Sequence, residues 1–145
     1  MTGLRDIEAQ VEIAAPIDRV WACLTDEGLV AHWLGCLGFK PQVGTVFYMQ
    51  ADGAKRAAGD VSGATHCEVE ALSPPHSLRF SWFMPGTPKT HVEIVLAETA
   101  GGVTARLVHT GWDQFNADEL RGIHEMLSGG WRSFVLPGLK RVAEE

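Results

Sequence analysis

From residue 7 to residue 13 apolar and polar positions alternate, with Ile7, Ala9, Val11 and Ile13 on one side and Glu8, Gln10 and Glu12 on the other. A period of two is that of a strand with one wet face. The period then changes. Pro16 suits the first turn of a helix, and Ile17, Val20, Trp21 and Leu24 follow at helical spacing. Thr25 is placed to cap a second short helix carrying Leu29, Val30 and Trp33 on one stripe, which Gly35 and Gly38 end. Beyond Pro41 and Gly44 the β-formers of 45–50 predict a second strand, and Asp52-Gly53 is a hairpin turn signal. Segments 65–72, 77–83, 90–96 and 103–110 continue the series, punctuated by Pro74-Pro75, by Pro85 and Pro88, and by Gly101-Gly102. Sequential strands with short turns predict an antiparallel meander. Leu78, Phe80 and Trp82 oppose Arg79 and Ser81, and Val92, Ile94 and Leu96 oppose His91 and Glu93, so one face of the sheet must be covered.

The cover is legible near the C-terminus. Asn116 is a good N-cap, Glu119 completes a capping box, and Phe115 and Leu120 hold the hydrophobic-staple positions. Leu120, Ile123, Leu127, Trp131, Phe134 and then Leu139 or Val142 form one apolar stripe, with Asp118, Arg121, Glu125 and Arg132 off it. The sheet is the surface large enough to bury that stripe. Gly129 and Gly130 each cost about 1 kcal/mol against Ala in a helix, and Pro137 costs about 3 by removing the bond to the Ser133 carbonyl, so a bent helix is expected. A bent lid over a curved sheet leaves unfilled space; the two glycines serve close packing equally well. The predicted fold is α+β of helix-grip type over residues 1–145 as one domain. It has a curved antiparallel sheet, two short helices after the first strand, and a long C-terminal helix across the sheet.

Composition narrows the function classes. With 46% hydrophobic and 21% charged residues in 145, the chain sits near globular averages, which argues against disorder and fibrous folds. A net charge of -6, with no basic cluster beyond Lys55-Arg56, opposes nucleic-acid and anionic-membrane partners. Residues 1–10 lack the apolar run of a secretory signal and no stretch is long enough to span a bilayer, so a cytoplasmic protein without a membrane span is expected. Cys23, Cys36 and Cys67 are odd in number and form no C-x-x-C pair, as fits reduced thiols.

Six short motifs then fall in a recognisable order: Ala15-Pro16-x-x-x-Val20-Trp21; Trp33; Val43-Gly44-x-x-Phe47; Glu70-Ala71-Leu72-Ser73-Pro74-Pro75 with Leu78-x-Phe80-x-Trp82; Leu107-Val108-His109-Thr110-Gly111; and Gly130-Trp131. In this order and spacing the chain resembles the homologues of the activator of the heat shock protein 90 ATPase. That family lies within the SRPBCC superfamily, with START lipid-transfer domains, polyketide cyclases and the birch pollen allergen. The resemblance implies a helix-grip fold enclosing a hydrophobic cavity, in many members without known chemistry.

Candidate chemistry is sparse. His124-Glu125 is followed four positions after the His by Ser128, so the two-His zinc helix fails; Gly59-Asp60-Val61-Ser62-Gly63 places its Ser one position late for a nucleophile elbow; and no Gly-rich phosphate loop precedes a helix. His66 and His91 fall on outer faces, so neither metal nor cofactor is expected. His109 shares parity with Ala105 and Leu107 and faces inward, either as a polar anchor or proton-transfer group at a cavity or as a bonded core residue. Aromatic side chains concentrate around the same interface. The candidate ligand-contacting set is Trp33, Met49, Trp82, Met84, His109, Trp112, Trp131 and Phe134, with no catalytic residue assigned. The function expected is binding of a small hydrophobic molecule, aromatic or lipid-like. The alternatives are a cyclase or hydratase with His109 as acid or base, and a chaperone-associated or stress-response interaction module, including a homodimer.

Overall fold

In the computed structural model residues 5–50, 52–84, 88–112 and 117–145 are described, residues 117–120 by backbone alone. The N-terminal alternation forms β1 (Ile7–Ile13). It is followed by α1 (Ile17–Thr25), α2 (Glu27–Leu34), β2 (Cys36–Leu37), β3 (Val46–Met49) and α3 (Gly53–Ala57). The meander β4 (Thr65–Ser73), β5 (Ser77–Phe83), β6 (Thr90–Thr99) and β7 (Gly102–Thr110) comes next. The chain closes with α4 (Ala117–Gly130), a π-helical segment (Trp131–Val135) and α5 (Leu136–Glu144). The seven strands make one antiparallel sheet in the order β1-β7-β6-β5-β4-β3-β2, which puts β1 at an edge as the pattern predicts. This is the helix-grip α+β fold. Its core consists of inward residues such as Ile7, Val69, Phe80, Val92, Ile94 and Leu107, covered by Trp131, Leu136, Leu139 and Val142 of the C-terminal helices. Among the described residues no helix is long and apolar enough to cross a membrane.

Two turn assignments change. Asp26, not Thr25, caps α2: its carboxylate accepts from the Gly28 and Leu29 amides, while the Thr25 hydroxyl donates back to the Trp21 carbonyl at 2.9 Å. Asp52-Gly53 makes no hairpin, because Asp52 caps α3 by accepting from the amides of Ala54 and Lys55 at 2.9 and 3.0 Å. In both places an Asp side chain satisfies orphan amides at a helix start better than the alternative does. The two-residue β2 is too short to leave a periodic signal. The capping box and staple at Phe115, Asn116, Glu119 and Leu120 lie outside the described side chains.

The C-terminal stripe holds up to Trp131 and then shifts. The Leu136 amide bonds the Trp131 carbonyl five residues back, and this wide turn carries the inner face from Trp131 directly to Leu136 and Leu139. Phe134, assigned to the stripe by an uninterrupted period of 3.6, is therefore turned outward and is 78% exposed. Pro137 stands at the start of α5, where the regular ladder has already been interrupted.

The same helices hold the free edge of β1 through side chains. His124 Nε2 bonds the Arg5 carbonyl at 2.7 Å, Arg132 Nη2 bonds the Glu8 carbonyl at 2.8 Å, and Lys140 Nζ bonds the Glu12 carbonyl at 3.0 Å. An open row of strand acceptors is thereby covered. At the other side of β1, a Cβ on Gly102 (φ +150°) would stand 2.0 Å from the Ile13 carbonyl oxygen, so only glycine lets the β6–β7 turn pass.

Candidate functional site

Two neighbouring regions lie on the inner face of the sheet under the C-terminal helices. The first is centred on His109. The register pairs Trp82 with Thr90 and Val92 with His109, which brings β5, β6 and β7 side chains together beneath Trp131. Trp131 Nε1 donates to His109 Nδ1 at 3.2 Å. An indole N–H can only donate, so Nδ1 is the acceptor and the imidazole proton sits on Nε2. Nε2 donates to Thr90 Oγ1 at 2.7 Å, and the Thr90 hydroxyl donates to the Trp82 carbonyl at 2.6 Å. The rings of Trp112, Trp82 and Trp131 lie 4.8, 5.4 and 6.0 Å from the imidazole. Burial, with smaller contributions from His124 and His91, pushes the His109 pKa down to about 3. His109 is thus a neutral, fully bonded group with no nitrogen left for a ligand or for proton transfer.

The second region is a cavity of about 230 Å³ at the β3–β4–β5 end of the same face. Met49, Thr65 and Trp82 supply its sheet side, Leu34 and Gly35 the end of α2, Arg56 the α3 side, and Met126 and Leu127 the helix above. Gly35 takes the left-handed conformation (φ 67°) that stops α2, and its carbonyl accepts from the Gln50 amide at 3.0 Å, fixing the wall. Met126 is 65% exposed and stands at the mouth.

The polar groups of this wall are uneven. Gln50 is saturated: Nε2 donates to the carbonyls of Asp60 and Ser62 at 3.0 Å each, and Oε1 accepts from the Asp52 amide at 3.2 Å. Thr65 Oγ1 donates to Met84 Sδ at 3.4 Å. Arg56 Nη1 donates to the Gln50 carbonyl at 2.6 Å. Trp82 Nε1, fully buried, has no acceptor among the described residues. Next to the cavity the Cys36 thiol is pushed up to about 12 by burial and stays protonated.

Of the residues singled out from sequence, Met49 and Trp82 line the cavity. Met84 touches it through Thr65. His109, Trp112 and Trp131 form the closed region beside it. Trp33 is a core residue whose Nε1 donates to the Cys23 carbonyl at 2.7 Å. Phe134 lies on the opposite side of the helix, in solvent. Leu34, Gly35, Gln50, Arg56, Thr65, Met126 and Leu127 were not among the candidates. Leu127 was recoverable from the helical stripe; Leu34, Gly35, Gln50 and Thr65 lie at or beside the ends of elements, Arg56 on the short α3, and Met126 off the buried stripe of α4.

A larger hollow, about 410 Å³, runs outside β1 between Glu8, Gln10, Arg106 and Arg132. Its charged groups partner one another, Arg106 with Glu8 and Arg132 with the Glu8 carbonyl, and it has no enclosing apolar wall. Among the described residues no three His, Cys, Asp or Glu side chains converge as a metal would require.

Comparison with curated proteins gives no match. Among solved structures, protein BH1534 of Bacillus halodurans is 30% identical with a TM-score of 0.76, covering 99% of this chain and 100% of its own. Protein MLL2253 of Mesorhizobium loti is 26% identical with a TM-score of 0.73, covering 97% and 94%. A structure described as the Aha1 dimer from Colwellia psychrerythraea is 15% identical, covers 97% of each chain with a TM-score of 0.66, and shares the fold. The profile of the family described as activator of Hsp90 ATPase homolog 1-like protein matches residues 14–144. The chain belongs to that family.

Proposed function

We propose that the protein binds one small hydrophobic molecule in the cavity between β5 and α4. The observation that carries this reading is the unfilled, mainly apolar volume behind Met126 and Leu127. Empty apolar space forfeits dispersion contacts, which a ligand restores. An apolar cavity of about 150 Å³ accepts benzene, so about 230 Å³ suits a one-ring or fused two-ring molecule and is short of a lipid chain. Binding is favoured over a cyclase or hydratase reaction, because the described residues lining the space include no Asp, Glu or His.

The test is titration with neutral 1-naphthamide, following tryptophan fluorescence. Saturable one-to-one binding is expected, along with its loss in Leu127→Trp, whose indole would fill the space while circular dichroism stays native. Binding that survives Leu127→Trp, or no binding of any naphthalene probe to the wild type, contradicts the cavity.

A further inference from the structure

We infer that the cavity selects a small aromatic carboxylate over neutral or cationic aromatics of the same size. This rests on the binding reading above and specifies the ligand class. Gln50 has its carbonyl and both amide N–H groups partnered, and the Thr65 hydroxyl proton is directed to Met84. The unmatched groups are donors. Trp82 contributes a buried indole N–H without an acceptor among the described residues. Arg56 contributes a half-buried guanidinium with one N–H engaged, at the Gln50 carbonyl, and no carboxylate within ion-pair distance among the described residues.

The acidic groups nearest in sequence are turned elsewhere. Asp52 accepts from the amides of Ala54 and Lys55, and Asp60 accepts from the Ser62 amide at 2.9 Å. A chain of net charge -6 thus presents on this apolar wall a cation that has no carboxylate partner among the described residues. A guanidinium is matched by a planar carboxylate. The complementary ligand has an apolar ring for Met49, Leu127 and Met126 and an anionic acceptor for Arg56.

Calorimetric titration with 1-naphthoate, 1-naphthamide and 1-naphthylmethylammonium separates the possibilities. The carboxylate is expected to bind at least about ten-fold more tightly than the amide, and the cation most weakly, the scale of one charge-assisted hydrogen bond. Arg56→Gln is expected to remove that about ten-fold preference, so that the carboxylate binds no more tightly than the amide, and Arg56→Lys to restore part of it. Equal affinity for the carboxylate and the amide overturns the selectivity and leaves the cavity reading intact. Absence of binding by all three overturns both. A preference that persists in Arg56→Gln removes Arg56 from the site.

Discussion

The His109 region and the cavity share one sheet face, one covering helix and one residue, yet they treat polar groups in opposite ways. Around His109 both imidazole nitrogens are matched, in a chain from Trp131 through the imidazole to Thr90 and the Trp82 carbonyl. The indole N–H of Trp82, whose ring lines the cavity, has no acceptor among the described residues. Trp82 lies on the boundary: its carbonyl and one side of its ring pack in the closed region, and the ring also lines the cavity. A polar residue inside a fold is therefore not by itself a sign of a site; what counts is whether its hydrogen-bonding capacity is exhausted. By that criterion His109 is a bonded core residue, and Trp82 is the one of the two that lines the proposed site.

The largest effect should come from the closed side. Trp131→Ala removes a fully buried ring and the donor to His109, and is expected to lower stability by about 3 to 5 kcal/mol in urea unfolding. A loss below about 1 kcal/mol would mean that this region is not tightly packed.

Acid should act on the same side. The folded pKa of His109, about 3, lies below the usual 6.5, so the unfolded chain takes up the proton first. The contribution is complete above pH 6.5 and falls as pH drops towards 3, by about 1.4 kcal/mol per pH unit, or about 2 kcal/mol between pH 6.5 and 5. His109→Gln keeps an acceptor and a donor but cannot titrate, so its stability should lack that slope. An unchanged slope in the variant would show that other groups carry the pH dependence.

On the open side the effects should be smaller and appear in binding. Trp82→Phe deletes an unmatched donor, which offsets the lost packing, so stability should change by no more than about 1 kcal/mol while 1-naphthoate affinity falls. A large loss of stability with unchanged affinity would move Trp82 to the structural side. The smallest effect is assigned to Phe134→Gln, within about 0.5 kcal/mol in thermal unfolding, because the π segment holds Phe134 in solvent. A loss above about 2 kcal/mol would restore the uninterrupted helical stripe.

The strands were legible because one buried face imposes a period of two: β1 and β5 begin and end where the alternation does. The helix at the C-terminus was legible up to Trp131 for the same kind of reason. Phe134 was not, since a single wide turn changes the phase without changing composition. The inward direction of His109 followed from strand parity, but its saturation depended on Thr90 and Trp131, which come from two other elements. The cavity was the least legible part. Gly35, Gln50 and Arg56 reach it from a helix end, a strand end and a five-residue helix, and only the tertiary arrangement brings them together.

The five tryptophans offer a direct reading of where a ligand sits, because each indole N–H gives its own signal in a ¹⁵N–¹H spectrum. On titration with 1-naphthoate the Trp82 signal should move and saturate, because its ring lines the cavity, while the Trp131 and Trp33 signals, bonded to His109 and to the Cys23 carbonyl, should stay in place. Movement of Trp131 with Trp82 unchanged would put the ligand at His109 and contradict the division between the two regions.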